Sequence, residues 1–213
     1  MTEMVFIIDK SGSMAGMESD TVGGFNAALA KQKKCTGRAL VSLVLFSGRS
    51  EVIYDRVNIG NVPELTCEDY LPGGSTALLD AVGDAVRHIS NVHKYARSED
   101  RPSRTVFVII TDGLENTSSR YTYRDIKSLI DRQKEVCGWE FLFLGANIDS
   151  EREADRLGIS RERAVNYHCD TVGTKAVYES VAEFCCEMQS GKVNSDGWRK
   201  KADADYSGRK NKK

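Results

Sequence analysis

The chain predicts an α/β fold: a doubly wound, mostly parallel central sheet with one antiparallel edge strand and helices on both faces. Three observations carry that prediction. Val5-Phe6-Ile7-Ile8 and Thr105-Val106-Phe107-Val108-Ile109-Ile110 are apolar without a break, as strands covered on both faces must be. Segments with apolar residues at helical spacing alternate with these runs, the pattern of β-α-β units. Two of the runs lead directly into an aspartate, Asp9 and Asp112, and a parallel sheet binds its ligands beyond the carboxyl ends of its strands.

The elements follow in order. After the first strand, Val22, Phe25 and Leu29 recur at helical spacing among Ala27, Ala28 and Ala30, which are good helix formers. Gly23-Gly24 interrupts this helix and reads either as a close backbone approach near the loop that follows Asp9 or as a simple helix irregularity. Residues 39–46 read as the second strand and 51–57 as the third. The link between them, Ser47-Gly48-Arg49-Ser50, is too short for a crossover and makes the third strand an antiparallel sheet edge. A long loop with Pro63 and Pro72 leads to a helix beginning near Ser75 or Thr76, with Leu79, Val82, Val86 and Ile89 along one face.

Beyond the central strand 105–110, Thr122 and Asp125 form a capping-box-like pair ahead of Ile126, Leu129 and Ile130. Residues 139–144 are a further strand, Ser150 and Glu153 open a short helix ending near Gly158, and 164–167 are a last strand. Residues 172–188 form a final amphipathic helix. Residues 1–190 are therefore expected to be one domain, and 191–213 a tail.

Length and composition bound the function. A chain of 213 residues with 40% hydrophobic residues is long enough for one well-covered core. No apolar stretch is long enough to span a membrane and none resembles a secretion signal, which makes a cytoplasmic location the default expectation. The six cysteines show neither a C-x-x-C pair nor zinc-ligand spacing, and they read as reduced thiols, several of them packed in the core. The net charge of -1 conceals an asymmetry, because residues 191–213 carry eight basic side chains against three acidic ones. Such a basic, aliphatic-poor tail is expected to be disordered, with Trp198 as a weak partner anchor.

The chemistry converges on oxygen. Asp9-Lys10-Ser11-Gly12-Ser13 follows the first strand, Pro72-Gly73-Gly74-Ser75-Thr76 precedes a helix, and Asp112-Gly113 follows the central strand. Carboxylates and hydroxyls without histidine or cysteine are hard ligands suited to a divalent cation such as Mg. Any one loop alone reads as an Asx-turn or a helix N-cap; three together, at the same end of the sheet, read as a metal site. His88, His93 and His168 are scattered and take no metal or catalytic role.

In this order and context the three loops resemble the metal-ion-dependent adhesion site of von Willebrand factor type A domains, with the full pattern D-x-S-x-S, then T, then D. The resemblance spans residues 4–188 and implies a Rossmann-like doubly wound sheet. It further implies that Asp9, Ser11, Ser13, Thr76 and Asp112 hold Mg, with Mn or Ca as alternatives, directly or through water. An open coordination position then accepts a glutamate or aspartate carboxylate from a partner protein. The expected function is a cation-bridged protein-interaction module with no catalytic residues. Residues 14–20, 115–123 and 146–149 would choose the partner, and Asp20 and Glu115 read either as negative potential that draws in the cation or as ordinary solvated acids.

Two other readings compete. A Mg-dependent phosphohydrolase would use Asp9 as nucleophile, but the second aspartate of haloacid-dehalogenase-type enzymes is replaced here by Ser11. An RNA-associated role would use the basic tail, against which stands an acidic body without a basic, aromatic-interleaved face.

Overall fold

A computed structural model of the protein describes residues 1–192 and 196–210. Six strands form one sheet in the order β3-β2-β1-β4-β5-β6. They are β1 (Thr2–Asp9), β2 (Ala39–Phe46), β3 (Ser50–Asn58), β4 (Arg104–Thr111), β5 (Glu140–Ala146) and β6 (Ala164–Tyr167). All neighbours are parallel except β2 and β3. The four-residue link predicted the hairpin, and the strand order places β1 beside β4, so the strands ending at Asp9 and Asp112 are central neighbours, as the sequence implied.

Alternation along β1 sorts the core onto the two faces. Met4, Phe6 and Ile8 point to α1 (Glu18–Gln32) and α5 (Thr171–Gln189), while Val5 and Ile7 point to α2 (Leu78–Tyr95), α3 (Tyr123–Cys137) and α4 (Ser150–Arg156). Phe6 meets Phe25 edge-on at 5.2 Å, the arrangement that the ring quadrupoles favour. At α3 the capping box is complete: the Thr122 side chain accepts from the Asp125 backbone, and the Asp125 side chain accepts in return. Gly138, at φ 64°, ends that helix in the left-handed conformation that glycine tolerates.

Gly24 lets α1 approach α5. A Cβ there would stand 2.3 Å from the Tyr178 ring, whereas the space beside Gly23 is open. The predicted close approach is thus made by Gly24 alone, and against α5 rather than the metal loop. Gln32 Nε2 donates to Ala182 O at 2.6 Å, joining the two helices further down, and Gln189 Nε2 donates to Gly37 O at 2.8 Å, fastening α5 to the loop after α1.

Two expectations are corrected. The structure joins Cys35, just past α1, to Cys186 in α5 as a disulfide with a Cα–Cα distance of 5.8 Å, so these two are not reduced thiols. Their separation of 151 residues hides the pairing from any spacing rule. Cys67, Cys137, Cys169 and Cys185 are free. Closing so long a loop restricts the unfolded chain, and reduction is expected to cost about 2–4 kcal/mol. Thermal melts with and without dithiothreitol, beside Cys35→Ser, measure this; a melt insensitive to both would refute it.

The tail is the second correction. Of residues 191–213, those at 193–195 and 211–213 lie outside the described residues, but Asp196–Arg199 form a 3-10 turn and Lys200–Lys210 form α6. Trp198 is 1% exposed. Its indole packs edge-on against Phe184 at 5.5 Å and donates its N–H to Glu162 O at 3.3 Å. It anchors the chain to its own core rather than to a partner. Three of the tail's basic residues are engaged within the chain: Arg199 with Asp203, Lys201 with Glu183 and Glu179, and Arg209 with Asp170 and Asp205.

Candidate metal centre

The carboxyl end of β1 is fastened before its ligand loop begins. Tyr70 donates its hydroxyl to Asp9 O, and the Lys10 N–H donates to Phe46 O at 2.7 Å. Gly73 N–H donates to Lys10 O at 2.8 Å, and Gly12 N–H donates to Gly74 O at 3.0 Å, so the D-x-S-x-S loop and the loop ahead of α2 are laced together. Gly74 sits at φ +80°, which a side chain would strain, and this bend turns its carbonyl to Gly12. Met14, 2% exposed, pins the short 3-10 turn Gly12–Met14 into the core.

On this frame the predicted ligands meet. Asp9 Oδ1 accepts from the Ser11 N–H at 2.7 Å, and Ser11 Oγ lies 3.1 Å from Ser13 Oγ. Ser13 Oγ donates to Asp112 Oδ1 at 2.6 Å. A Cβ on Gly113 would lie 3.7 Å from Thr76 Oγ1 and 3.8 Å from Ser13 Oγ, so both hydroxyls border the Asp112-Gly113 turn. All five residues proposed from the sequence are brought to one place.

Thr76 is not the cap of α2. The N-cap is Ala77, with no side-chain bond. Thr76 is held instead by Asn116, whose Oδ1 accepts from its N–H at 2.9 Å and whose own N–H donates to Thr76 O at 3.0 Å.

Residues that the motif did not single out complete the support. Thr111 Oγ1 donates to Asp9 Oδ2 at 2.6 Å and so fixes the carboxylate. Glu115, expected to add negative potential for the ion, is used structurally: it accepts from the N–H groups of Leu79, Thr117 and Ser118 and from the Ser118 hydroxyl. Asp80 accepts from the N–H groups of Ser119, Arg120 and Tyr121 and holds the rest of that loop. Thr111, a hydroxyl residue at a strand end one position before Asp112, was the one signal of this set available in the sequence.

The electrostatics call for a cation. Asp9 and Asp112 are 0% and 5% exposed, and among the described residues no lysine or arginine bonds either of them. Lys10 is taken by Glu51 at 2.6 Å, and Arg120 by Asp80 and Asp84. Burial pushes the Asp9 carboxyl up, the bonds from Thr111 and Ser11 pull it back in part, and the charge of Asp112 adds to the rise. Two buried carboxylates with convergent hydroxyls and no nitrogen or sulfur donor fit a hard divalent ion. Among the described residues no group of three or more His, Cys, Asp or Glu side chains is placed to hold a metal ion, so an ion here takes hydroxyls or water for the rest of its shell.

A pH dependence follows. With its value raised above the ordinary 3.8, Asp9 keeps its proton in the metal-free fold where an unfolded chain has lost it. That proton's stabilising contribution is full below 3.8 and is lost as pH rises through the raised value. Cation binding needs the carboxylate, so affinity is full above the raised value and falls as pH drops through it, with a proton released on binding. Calorimetry in two buffers of different ionisation enthalpy reads the proton; equal heats across that pH range would contradict the assignment.

The von Willebrand factor type A domain family matches residues 3–173, and the chain belongs to it. No curated relative matches the chain. Among solved structures, proximal thread matrix protein 1 from the mussel byssus superposes with a TM-score of 0.60 at 16% identity, over 87% of this chain and 46% of that one. A further structure of that mussel protein, described with a zinc-occupied MIDAS motif, gives 0.59 at 16% identity over 87% and 46%. The von Willebrand factor type A protein from Catenulispora acidiphila gives 0.55 at 15% identity, over 89% of this chain and 42% of that one. The chain thus spans less than half the length of these proteins, and the likeness establishes the fold. Domains of this family are commonly metal-dependent interaction modules, and their adhesion sites take divalent cations. Among the described residues no helix is long and apolar enough to cross a membrane.

Proposed function

We propose that the chain is a metal-dependent protein-interaction module, in which Asp9, Ser11, Ser13, Thr76 and Asp112 hold Mg, or in its place Mn or Ca, and the ion bridges to a glutamate or aspartate of a partner. The observation that carries this reading is the run of bonded oxygens from Asp9 through Ser11 and Ser13 to Asp112, drawn from two loops with Thr76 of a third beside it. When bound, the ion supplies an electrophilic position for an external carboxylate. The residues hold the shell: Thr111 and the Ser11 N–H orient Asp9, Asn116 orients Thr76, and Tyr70 fixes the strand end.

A binding role suits this geometry better than hydrolysis. Both carboxylate oxygens of Asp9 already accept bonds, and the residue is 0% exposed, which turns the group inward instead of presenting it as a nucleophile. Nucleic-acid binding through the tail is disfavoured by the pairing of Arg199, Lys201 and Arg209 with acidic neighbours.

The test is a capped glutamate peptide titrated into chelator-treated protein with Mg, Mn or Ca added back, followed by fluorescence anisotropy. Cation-dependent binding, reversed by EDTA and absent for the glutamine analogue, supports the reading. Equal binding with and without cation sinks it.

A further inference from the structure

Apolar side chains are exposed where the site meets solvent. Among the described residues six large hydrophobic side chains are exposed, and three of them, Leu71, Leu114 and Val172, stand on the segments around the candidate metal centre, at 68%, 54% and 57%. Scattered apolar residues on a surface need no explanation. These three differ in their place, on the segments that flank the ligand loops and the start of α5.

Leu71 lies between Tyr70, whose hydroxyl bonds Asp9 O, and Gly73, whose N–H bonds Lys10 O. Leu114 lies between Gly113, whose N–H bonds Thr111 Oγ1, and Glu115, whose carboxylate gathers the N–H groups of Leu79, Thr117 and Ser118. Val172 lies between Thr171, whose hydroxyl bonds Asp20 at 2.9 Å, and Gly173, whose N–H bonds Asp170 at 2.9 Å. The bonds on either side hold each of these segments in place, with the apolar side chain on its exposed side. The chain therefore holds apolar area in water beside a site whose ion is to be shared with a partner.

Charge narrows the partner further. A divalent ion balances Asp9 and Asp112, but Asp20, Glu68, Asp69 and Asp149 remain on the neighbouring segments. A partner segment rich in carboxylates is repelled by that rim. A segment with a single carboxylate between apolar residues has one group for the ion and two for the leucines.

We infer that the partner is a protein segment presenting one glutamate or aspartate flanked by apolar side chains, and that Leu71 and Leu114 determine this specificity. The inference rests on the metal-bridged reading above and is tested separately from it. The probes are capped five-residue peptides with a central glutamate, flanked by leucines, by serines or by further glutamates, titrated in saturating Mg. The leucine-flanked peptide is expected to bind about tenfold tighter than the serine-flanked one for each leucine seated, and the all-glutamate peptide more weakly than either.

In Leu71→Ser and Leu114→Ser the preference should shrink about tenfold each, while Mg affinity measured by calorimetry stays at the parental value. Equal affinity for the leucine- and serine-flanked peptides in a protein that binds Mg overturns this inference and leaves the metal-bridged reading standing. Failure of the parent to bind any divalent ion overturns both. Cation-dependent binding to phosphatidylserine vesicles that is lost in Leu71→Ser, without any preference among the peptides, overturns it in favour of a lipid surface.

Discussion

Asp9→Asn is expected to lower divalent-cation affinity by roughly 100-fold or more while leaving a folded protein. Asparagine keeps the shape and one accepting oxygen, so either the Ser11 N–H or the Thr111 hydroxyl retains its partner. The charge is what disappears. Because burial disfavours the Asp9 carboxylate in the metal-free fold, neutralising it relieves part of a destabilising interaction, which offsets the one hydrogen bond lost. The metal-free melt should move by no more than about 1–2 kcal/mol in either direction. Added Mg should raise the melting temperature of the parent and leave that of the variant unchanged. A variant that binds Mg as the parent does would place the ion elsewhere; one that fails to fold would make Asp9 a structural residue first, and Asp112→Asn would then carry the comparison.

Trp198→Ala should lose about 3–5 kcal/mol of stability, by analogy with other large-to-alanine core substitutions. For a chain of 213 residues that corresponds to a melting temperature lower by roughly 10 °C. The indole is nearly inaccessible, meets Phe184 and bonds Glu162 O. Its removal opens a cavity and uncouples the turn ahead of α6. Cation affinity should not change, because Trp198 shares no bond with the ligand loops. Trp198→Phe, which keeps the ring packing and drops the indole N–H, should lose only part of this. Were the alanine variant to melt with the parent, α6 would not be docked as described.

The ligands were legible in the sequence because each is fixed locally: a strand of recognisable composition ends, and the oxygen-bearing residues come next. The central strands were equally plain, since full burial leaves Val5-Phe6-Ile7-Ile8 no polar position. What escaped was set by distant partners. Thr111 showed only as a hydroxyl beside Asp112, and Glu115 only as an acid near the site, because their partners Asp9 and Leu79 lie 102 and 36 positions away. The tail misled for another reason. Composition averages over a segment, whereas docking here depends on one tryptophan, on Ala202 in the same core cluster, and on acids both within the tail and in the body that pair with Arg199, Lys201 and Arg209. Cys35 and Cys186 were visible as residues but not as a pair.

The position of α6 bears on how the molecule behaves among its own copies. Strand β6 is four residues long, pairs only with β5, and has α6 packed against it. At the opposite border of the sheet, β3 is interrupted by register shifts against β2 and carries Arg56 at φ 53°, irregularities that spoil a template for strand addition. β6 has no such irregularity of its own and relies on the helix as its shield. Shortened at residue 190, the chain would keep its ligand loops and its sheet but present β6 with free N–H and C=O groups beside an uncovered Phe184. The expected defect is then colloidal as well as thermodynamic: beyond the stability lost with Trp198, molecules that still fold should pair edge to edge as their concentration rises.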